Sequence, residues 1–138
     1  ILRIAYPYRS QFPKKDFLRA MLARLQEGKP IAAITDHVFT PTYIDDVAYA
    51  IKTLIEKNET GIFHVVGSES LSPYDAALKI VQEFALDKNL ISATTRSEYF
   101  QGKAPRPFHL SMRNDKIEKL GITMHGFSEG LAFIKKSL

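Results

Sequence analysis

Arg106 is the residue whose chemistry is easiest to infer, because prolines flank it at positions 105 and 107. Proline fixes its own φ angle and pushes the preceding residue into an extended conformation. An extended segment can aim a guanidinium group at an anion, and the planar guanidinium can bind a phosphate through two parallel hydrogen bonds. The same pattern is compatible with an ordinary surface arginine or a salt bridge.

A second group of polar residues marks the start of a helix. Thr42 is predicted to cap this helix through its hydroxyl, and Asp45 and Asp46 fall in the first turn, where negative charge suits the helix dipole. Asp45 stands three residues after Thr42, where its carboxylate can complete a weak capping box. Apolar residues then recur at helical spacing, at Val47, Ala50, Ile51, Leu54 and Ile55. Spacing alone indicates a well-formed helix start.

Periodicity and turn residues predict an α/β fold for the whole chain. Helices are expected at roughly 14–28, 43–57, 73–86 and 126–137, with a short further helix after Asn114. Strands are expected at 1–5, 31–34, 61–66 and 90–94. The 61–66 strand is apolar on both faces, which is typical of a parallel strand buried on both sides, and His64 within it is predicted to be a core histidine. We therefore expect strands 1–5 and 61–66 to lie parallel in one sheet.

Composition narrows the class of protein. The 138 residues are 45% hydrophobic and 25% charged, which suits one small globular domain, and the sequence contains no apolar run long enough for a membrane span. There are no cysteines, and this fits a reducing compartment, so a cytoplasmic location is expected. The net charge of +4 would favour an acidic ligand such as a nucleotide diphosphate. Basic and acidic residues are intermixed, so neither a nucleic acid nor a membrane is expected as a partner.

Four stretches of the sequence resemble the dTDP-4-dehydrorhamnose reductases, which are extended short-chain dehydrogenase/reductases acting on nucleotide sugars. Residues 36–48 resemble the family segment D-Q-x-G-x-P-T-x-x-D-D-L-A, and residues 61–67 resemble G-I-Y-H-V-V-G. Residues 104–122 align without a gap to a segment that begins R-P-x-N-S and ends K-L-E-K-L-G-I, and residues 3–9 resemble the loop R-x-x-W/N-x-Y-G. The resemblance implies the carboxyl-terminal part of a Rossmann-like reductase, with two parallel sheet strands and a small mixed substrate-binding lobe, all within 1–138.

The resemblance also implies roles for particular residues. Arg106 matches the arginine that family members use on the nucleotide diphosphate, and Tyr6 falls at the position of a substrate-contacting tryptophan. The same cleft is expected to be lined by four residues of the helix junction, Phe39, Thr40, Pro41 and Thr42. Pro7 and Tyr8 belong to the loop that passes close to the cofactor in the family.

Two parts of the family's reductase machinery are missing from this sequence. A dinucleotide-binding fold needs a glycine-rich turn near its first strand, and the seven glycines include no such cluster. Tyr99 and Lys103 have the Tyr-x-x-x-Lys spacing of the family's catalytic pair, but Gly102 and the prolines that follow oppose a helix there. NAD or NADP is therefore expected in the full-length parent and not on this chain alone, and no residue is assigned a catalytic or metal-binding role.

Two functional hypotheses remain open at this point. The first is the nucleotide-sugar-binding portion of an NAD(P)-dependent reductase that acts on a dTDP-4-keto-6-deoxy sugar. In that case its partner is an amino-terminal cofactor-binding half, or the protein forms a homo-oligomer. The alternative is a non-catalytic module that uses the same scaffold to bind a ligand or a protein.

Overall fold

The computed structural model describes residues 1–11, 13–104 and 106–138. Helices form wherever the apolar periodicity predicts them, with a turn of 3-10 helix at Lys88–Leu90. The α-helices are α1 (Phe17–Gln26), α2 (Ile44–Glu56), α3 (Pro73–Glu83), α4 (Arg96–Tyr99), α5 (Asp115–Glu118) and α6 (Phe127–Lys136). The strands are β1 (Leu2–Arg3), β2 (Pro7–Tyr8), β3 (Ile31–Ile34), β4 (Val38–Phe39), β5 (Thr42–Tyr43), β6 (Phe63–His64), β7 (Ile91–Thr94) and β8 (His109–Leu110).

The strands pair two by two, and every pair is parallel: β1 with β6, β2 with β5, β3 with β7 and β4 with β8. The predicted parallel pairing of the 1–5 and 61–66 strands is confirmed, with Leu2 opposite Phe63. An isolated bridge between Phe39 and Leu71 adds an antiparallel contact. The predicted α/β class is confirmed.

Two hydrophobic clusters divide the interior. The larger one packs α1, α3 and α6 around β3 and includes Leu18, Ile80 and Phe127. The smaller one packs α2 against β6 and α5, with Val65 and Ile117 fully buried. Strand β6 thus packs in the smaller cluster, which is separate from the larger cluster around β3. Among the described residues, each helix is too short or too polar to cross a lipid bilayer.

Helix starts were predicted with mixed success. Ser72 and Asp75 form the capping box at the start of α3, with Pro73 as the first helical residue, as the sequence indicates. The prediction that Thr42 caps α2 is wrong: Tyr43 occupies the cap position, and no side chain caps the helix there. Thr42 instead belongs to a strand, where its hydroxyl finds tertiary partners. The short helix after Asn114 forms, but the Asn114 amide donates to the Val66 carbonyl instead of capping it.

Candidate functional site

A cavity of about 610 Å³ lies between α1, β3 and α4. Most of its wall is apolar or aromatic, with Phe17 and Met21 from α1, and Tyr99 and Phe100 at and just beyond the end of α4. A few polar groups, including the side chain of His37, interrupt this wall. An apolar concavity with few polar groups is the usual form of a small-molecule site.

Tyr6 stands at one end of this cavity, where it separates the cavity from a smaller one of about 440 Å³. Its ring lies 4.7 Å from the Phe39 ring, centroid to centroid, and is 38% exposed. The backbone of Tyr6 has a φ angle of +42°. Left-handed backbone at a residue other than glycine is strained, and such residues cluster at functional sites. The ring predicted to contact the substrate is therefore exposed to a cavity and held there by a strained turn.

The Arg106 segment is attached to the cavity rim at two points. The Nδ1 atom of His37 lies 3.1 Å from the carbonyl oxygen of Pro107, and the backbone N–H of Val38 donates to the Phe108 carbonyl. The β4–β8 pairing continues this attachment. Arg106 is exposed, and its side chain has no hydrogen bond or ion pair with the described residues. Pro105, which was also predicted to hold Arg106 extended, lies outside the described residues.

A second guanidinium group lies at the same rim. The Cζ atom of Arg96 is 4.0 Å from the centroid of the Phe108 ring and 5.9 Å from that of Phe100. The Asp36 carboxylate, two residues beyond the end of β3, accepts the backbone N–H of Arg96 at 2.6 Å. This hydrogen bond fixes the start of α4 next to the end of β3. Asp36 thus contacts the backbone of Arg96, whereas the guanidinium group of Arg96 lies beside the rings of Phe100 and Phe108.

The Tyr99–Lys103 pair does not form a helical catalytic couple. Tyr99 is the last residue of α4, and Gly102 has a φ angle of +73°, which ends any helical path. The Lys103 ammonium instead lies over the Tyr99 ring, 4.9 Å from its centroid. The prediction that no helix joins Tyr99 to Lys103 is confirmed, and the absence of a catalytic role stays a prediction.

The predicted site residues Thr40 and Thr42 are fully buried. The Thr42 hydroxyl donates to the Ala5 carbonyl at 2.7 Å and accepts the backbone N–H of Gly67 at 3.3 Å. The Thr40 hydroxyl accepts the backbone N–H of Met112 at 2.9 Å. These two hydroxyls therefore tie together four separate chain segments. They have little capacity left for a ligand, so a role in substrate binding would come from positioning the segments around them.

Gly67 and Pro41 lie in contact at the same junction. A Cβ atom on Gly67 would lie 2.3 Å from the carbonyl oxygen of Pro41, so only glycine fits at this backbone crossing. Pro41 is buried there, and Phe39 is 3% exposed while still contributing to the cavity wall. Of the four junction residues predicted to line the cleft, Phe39 is thus the one that the structure places at the cavity surface.

Pro7 and Tyr8, predicted to lie near the cofactor, have opposite environments. Pro7 is exposed, whereas the side chain of Tyr8 is 1% exposed and packs edge-on against Phe127, with ring centroids 5.3 Å apart. Burial raises the pKa of Tyr8 far above its ordinary value, and the nearby Asp46 carboxylate adds to the effect. The Tyr8 ring is therefore a core residue, and only Pro7 presents a side chain that a cofactor could reach.

A second concavity, of about 590 Å³, lies between the start of α2 and the end of α6. The buried Asp46 carboxylate accepts both the backbone N–H of His125 and a hydrogen bond from its Nδ1 atom, at 2.8 and 2.7 Å. Burial, together with a hydrogen bond to the Asp45 carboxylate, raises the pKa of the nearby Tyr43 to about 12. The Asp46–His125 interaction satisfies the carboxylate and connects α2 to the segment before α6.

Three residues in or beside the main cavity were not selected from the sequence: Arg24 and His37 line it, and Arg96 lies near Phe100 of its wall. Arg24, on α1, lines the cavity and donates to the Pro30 carbonyl. His37 lies in the family-like segment 36–48 but was assigned no role, and Arg96 lies outside all four family-like segments. The signal that could have indicated Arg96 is its position just after β7. The loop that leads into β8 passes beside it at Phe108.

One known protein family matches the chain over its whole length. Residues 1–138 match the family described as "RmlD substrate binding domain". The chain belongs to this family.

Curated relatives agree with the family. The spore coat polysaccharide biosynthesis protein SpsK of Bacillus subtilis is 31% identical over 116 residues, which cover 84% of this chain and 40% of that protein. A dTDP-4-dehydrorhamnose reductase of Aggregatibacter actinomycetemcomitans is 29% identical over 115 residues, covering 75% of this chain and 39% of that protein. The chain thus spans less than half the length of these relatives.

Solved structures place the fold in the same group. The crystal structure of dTDP-4-dehydrorhamnose reductase from Bacillus anthracis, in complex with NADP, superimposes with a TM-score of 0.86. The identity is 23%, and the match covers 99% of this chain and 48% of that one. The similarity establishes that this chain has the fold of one part of such a reductase.

Proposed function

We propose that this chain is the nucleotide-sugar-binding part of an NAD(P)-dependent reductase of the dTDP-4-dehydrorhamnose reductase type, acting on a dTDP-4-keto-6-deoxy sugar. The observation that supports it most is the exposed Arg106, whose segment is attached to the rim of an apolar cavity through the His37–Pro107 contact at 3.1 Å. The cavity would take the apolar faces of the ligand, and Arg106 would bind the diphosphate. Tyr6 would contact the sugar.

In this proposal the dinucleotide site lies mainly outside this chain. Its sequence has no glycine-rich turn that would let the backbone approach a pyrophosphate, and the Tyr8 side chain is buried. We therefore assign no step of hydride transfer to these residues. In the proposed function, NAD or NADP is held by another segment of the protein, and Pro7 lies on the side that faces it.

The exposed edge of the β1–β6 pair supports the presence of such a segment. Four large aliphatic side chains at this edge are 37–79% exposed: Ile1, Leu2, Ile4 and Ile62. A two-stranded parallel pair with exposed apolar side chains is a poor free surface, because unpaired strand edges recruit further strands. The amino-terminal half of the reductase would cover it, and a homo-oligomer is the other candidate. The intact mass of the natural protein separates the two, since a mass near twice 15.6 kDa favours a covalently attached half.

The experiment that tests the proposal is calorimetric titration of thymidine diphosphate into the protein that contains this chain. Replacing Arg106 with alanine should cost about 1.5–3 kcal/mol of binding free energy, or about ten- to a hundredfold in affinity. Arg106→Lys should recover only part of this loss, because an ammonium cannot make the two-pronged contact.

A matched control removes the same positive charge elsewhere. Lys52 lies on the solvent side of α2, with 70% of its side chain exposed. Lys52→Ala should leave the affinity unchanged. Equal affinities for wild type and Arg106→Ala would refute the diphosphate role, and a wild-type protein that binds no nucleoside diphosphate would refute the proposed function itself.

A further inference from the structure

We propose that Arg96 is a second phosphate-binding residue of this cavity, which with Arg106 makes the rim selective for ligands that carry two phosphates. The inference rests on the proposed function and adds to it a residue that no part of the family resemblance assigns. Its basis is an arginine whose guanidinium is partly buried at the rim without an anionic partner among the described residues.

The environment of the Arg96 side chain is unusual for a charged group. Its Nε atom is buried and has no hydrogen-bond partner within 1–11, 13–104 and 106–138. None of the ion pairs among those residues includes Arg96. Arginine stays protonated in proteins, so a guanidinium removed from water retains a full charge and needs an acceptor.

The neighbouring carboxylates do not supply that acceptor. Asp36 accepts the backbone N–H of Arg96. The Glu98 carboxylate accepts from the backbone N–H of Thr95 and from the hydroxyl of Thr94, at 2.9 and 3.0 Å. These contacts shape the start of α4 and leave the guanidinium of Arg96 to the aromatic rings beside it.

The rings hold the guanidinium next to the Arg106 segment. Phe108, whose ring lies 4.0 Å from the Cζ atom of Arg96, follows Arg106 by two residues. Two residues span at most about 7 Å of chain. Phe100, whose ring centroid lies 5.9 Å from the same Cζ atom, lines the cavity. The Arg106 segment and the Arg96 side chain therefore meet at Phe108, beside the cavity wall.

Stacking on Phe108 also prepares the group for binding. A guanidinium on an aromatic face is attracted by the ring and keeps its N–H groups directed outward in its own plane. Because the ring already restricts the side chain, less rotamer freedom is lost when the anion binds. One phosphate could be satisfied by Arg106 alone, and a second phosphate would give Arg96 its acceptor.

The test measures the dependence of affinity on phosphate number. Thymidine, thymidine monophosphate and thymidine diphosphate are titrated into the protein that contains this chain, as wild type and as Arg96→Met, which removes the guanidinium and keeps an unbranched apolar side chain. The variant should bind the diphosphate about 10- to 100-fold more weakly, and should bind thymidine as wild type does. Lys52→Met is the charge control and should change none of the three affinities.

The outcomes separate this inference from the proposed function. An equal loss for all three ligands, or no loss for the diphosphate, would overturn the role of Arg96. If the Arg96→Met protein does not fold, Arg96→Lys replaces it, and a smaller loss confined to the diphosphate is expected. If Arg106→Ala weakens diphosphate binding while Arg96→Met does not, the proposed function stands and this inference fails. If the wild type gains nothing from the second phosphate, both fail.

Discussion

The threonine junction and the cavity rim use their polar groups in opposite ways. At the junction, formed by Thr40 and Thr42 with the backbone of Gly67, buried hydroxyls are saturated by the chain itself. At the rim, Arg106 is exposed, and Arg96 has a buried Nε atom with no partner within the described residues. Buried polar groups are normally paired, so saturated hydroxyls suit a scaffold, and an unpaired charged group beside a cavity is a candidate for ligand binding. We therefore assign the junction residues to the scaffold and propose the rim as the part that binds the ligand.

The largest loss of stability is expected at Gly67, where two backbone segments of the junction lie closest together. Gly67→Ala would place a Cβ atom 2.3 Å from the Pro41 carbonyl oxygen, and neither backbone can move without breaking the junction. We expect the free energy of unfolding to fall by about 1–3 kcal/mol or more, measured by urea denaturation. Gly126→Ala is the control, because its nearest neighbour would lie at 3.5 Å. Similar small losses for both variants would contradict the close approach.

Removing a saturated hydroxyl from the junction should have the next largest effect. Thr42→Val keeps the shape of the side chain but leaves the Ala5 carbonyl and the Gly67 N–H without this partner. The expected loss in the free energy of unfolding is about 1–3 kcal/mol. Thr53→Val deletes a hydroxyl that bonds its own helix at Tyr49 on a more exposed surface, and should cost clearly less. If the two variants are equally stable, the junction is not the scaffold proposed here.

Tyr43, which lines the second concavity, should make the free energy of unfolding depend on pH. Because the pKa of Tyr43 is raised from 10.0 to about 12 in the folded protein, folding favours the protonated phenol. This contribution is complete below pH 10 and is lost as the pH rises towards 12. Urea denaturation across this range should therefore show a steep decline in wild type and a shallower one in Tyr43→Phe. Asp45→Asn should be intermediate, since it removes the hydrogen bond to the carboxylate but not the burial. A decline that is identical in all three proteins would exclude Tyr43 as the cause.

The smallest effect is expected at a buried hydroxyl that has no partner. The Tyr8 hydroxyl is one of two such side-chain atoms among the described residues, and it lies against Gly130. Removing an unpaired buried hydroxyl releases its desolvation penalty and breaks no hydrogen bond. Tyr8→Phe should therefore keep or slightly raise the midpoint of thermal unfolding, in contrast to Thr42→Val. A large drop would reveal a partner of the Tyr8 hydroxyl.

Much of the fold could be predicted from local sequence because it depends on local physics. The apolar stripe of α3 and its Ser72–Asp75 capping box determine that helix wherever it packs. The parallel pairing of β1 with β6 was predicted from a strand that is apolar on both faces, and Val65 and Val66 are fully buried. The burial is incomplete, because Ile62 is 45% exposed and His64, predicted to be a core histidine, is only half-buried. Thr42 was misassigned because the same residue type caps helices and satisfies tertiary backbone groups, and only the approach of Ala5 and Gly67 decides between them.

The candidate site was less predictable because its geometry depends on distant segments. Arg106 could be selected from its flanking prolines and from the family resemblance, and its place in a ligand site stays a prediction. Arg96 could not be selected, since its proximity to Phe108 arises from two chain segments that return to the same rim. Burial of Tyr8 was likewise hidden, because its core contacts come from α1 and α6.

The distinction between scaffold and binding residues is tested most directly by titrating thymidine diphosphate into three forms of the protein: wild type, Thr42→Val and Arg106→Ala. The titrations are made at a temperature at which all three are folded. The account predicts that Arg106→Ala loses about ten- to a hundredfold in affinity at unchanged stability, and that Thr42→Val loses stability with a smaller loss in affinity. The reverse order of the two affinities would show that the junction binds the ligand and that the rim does not.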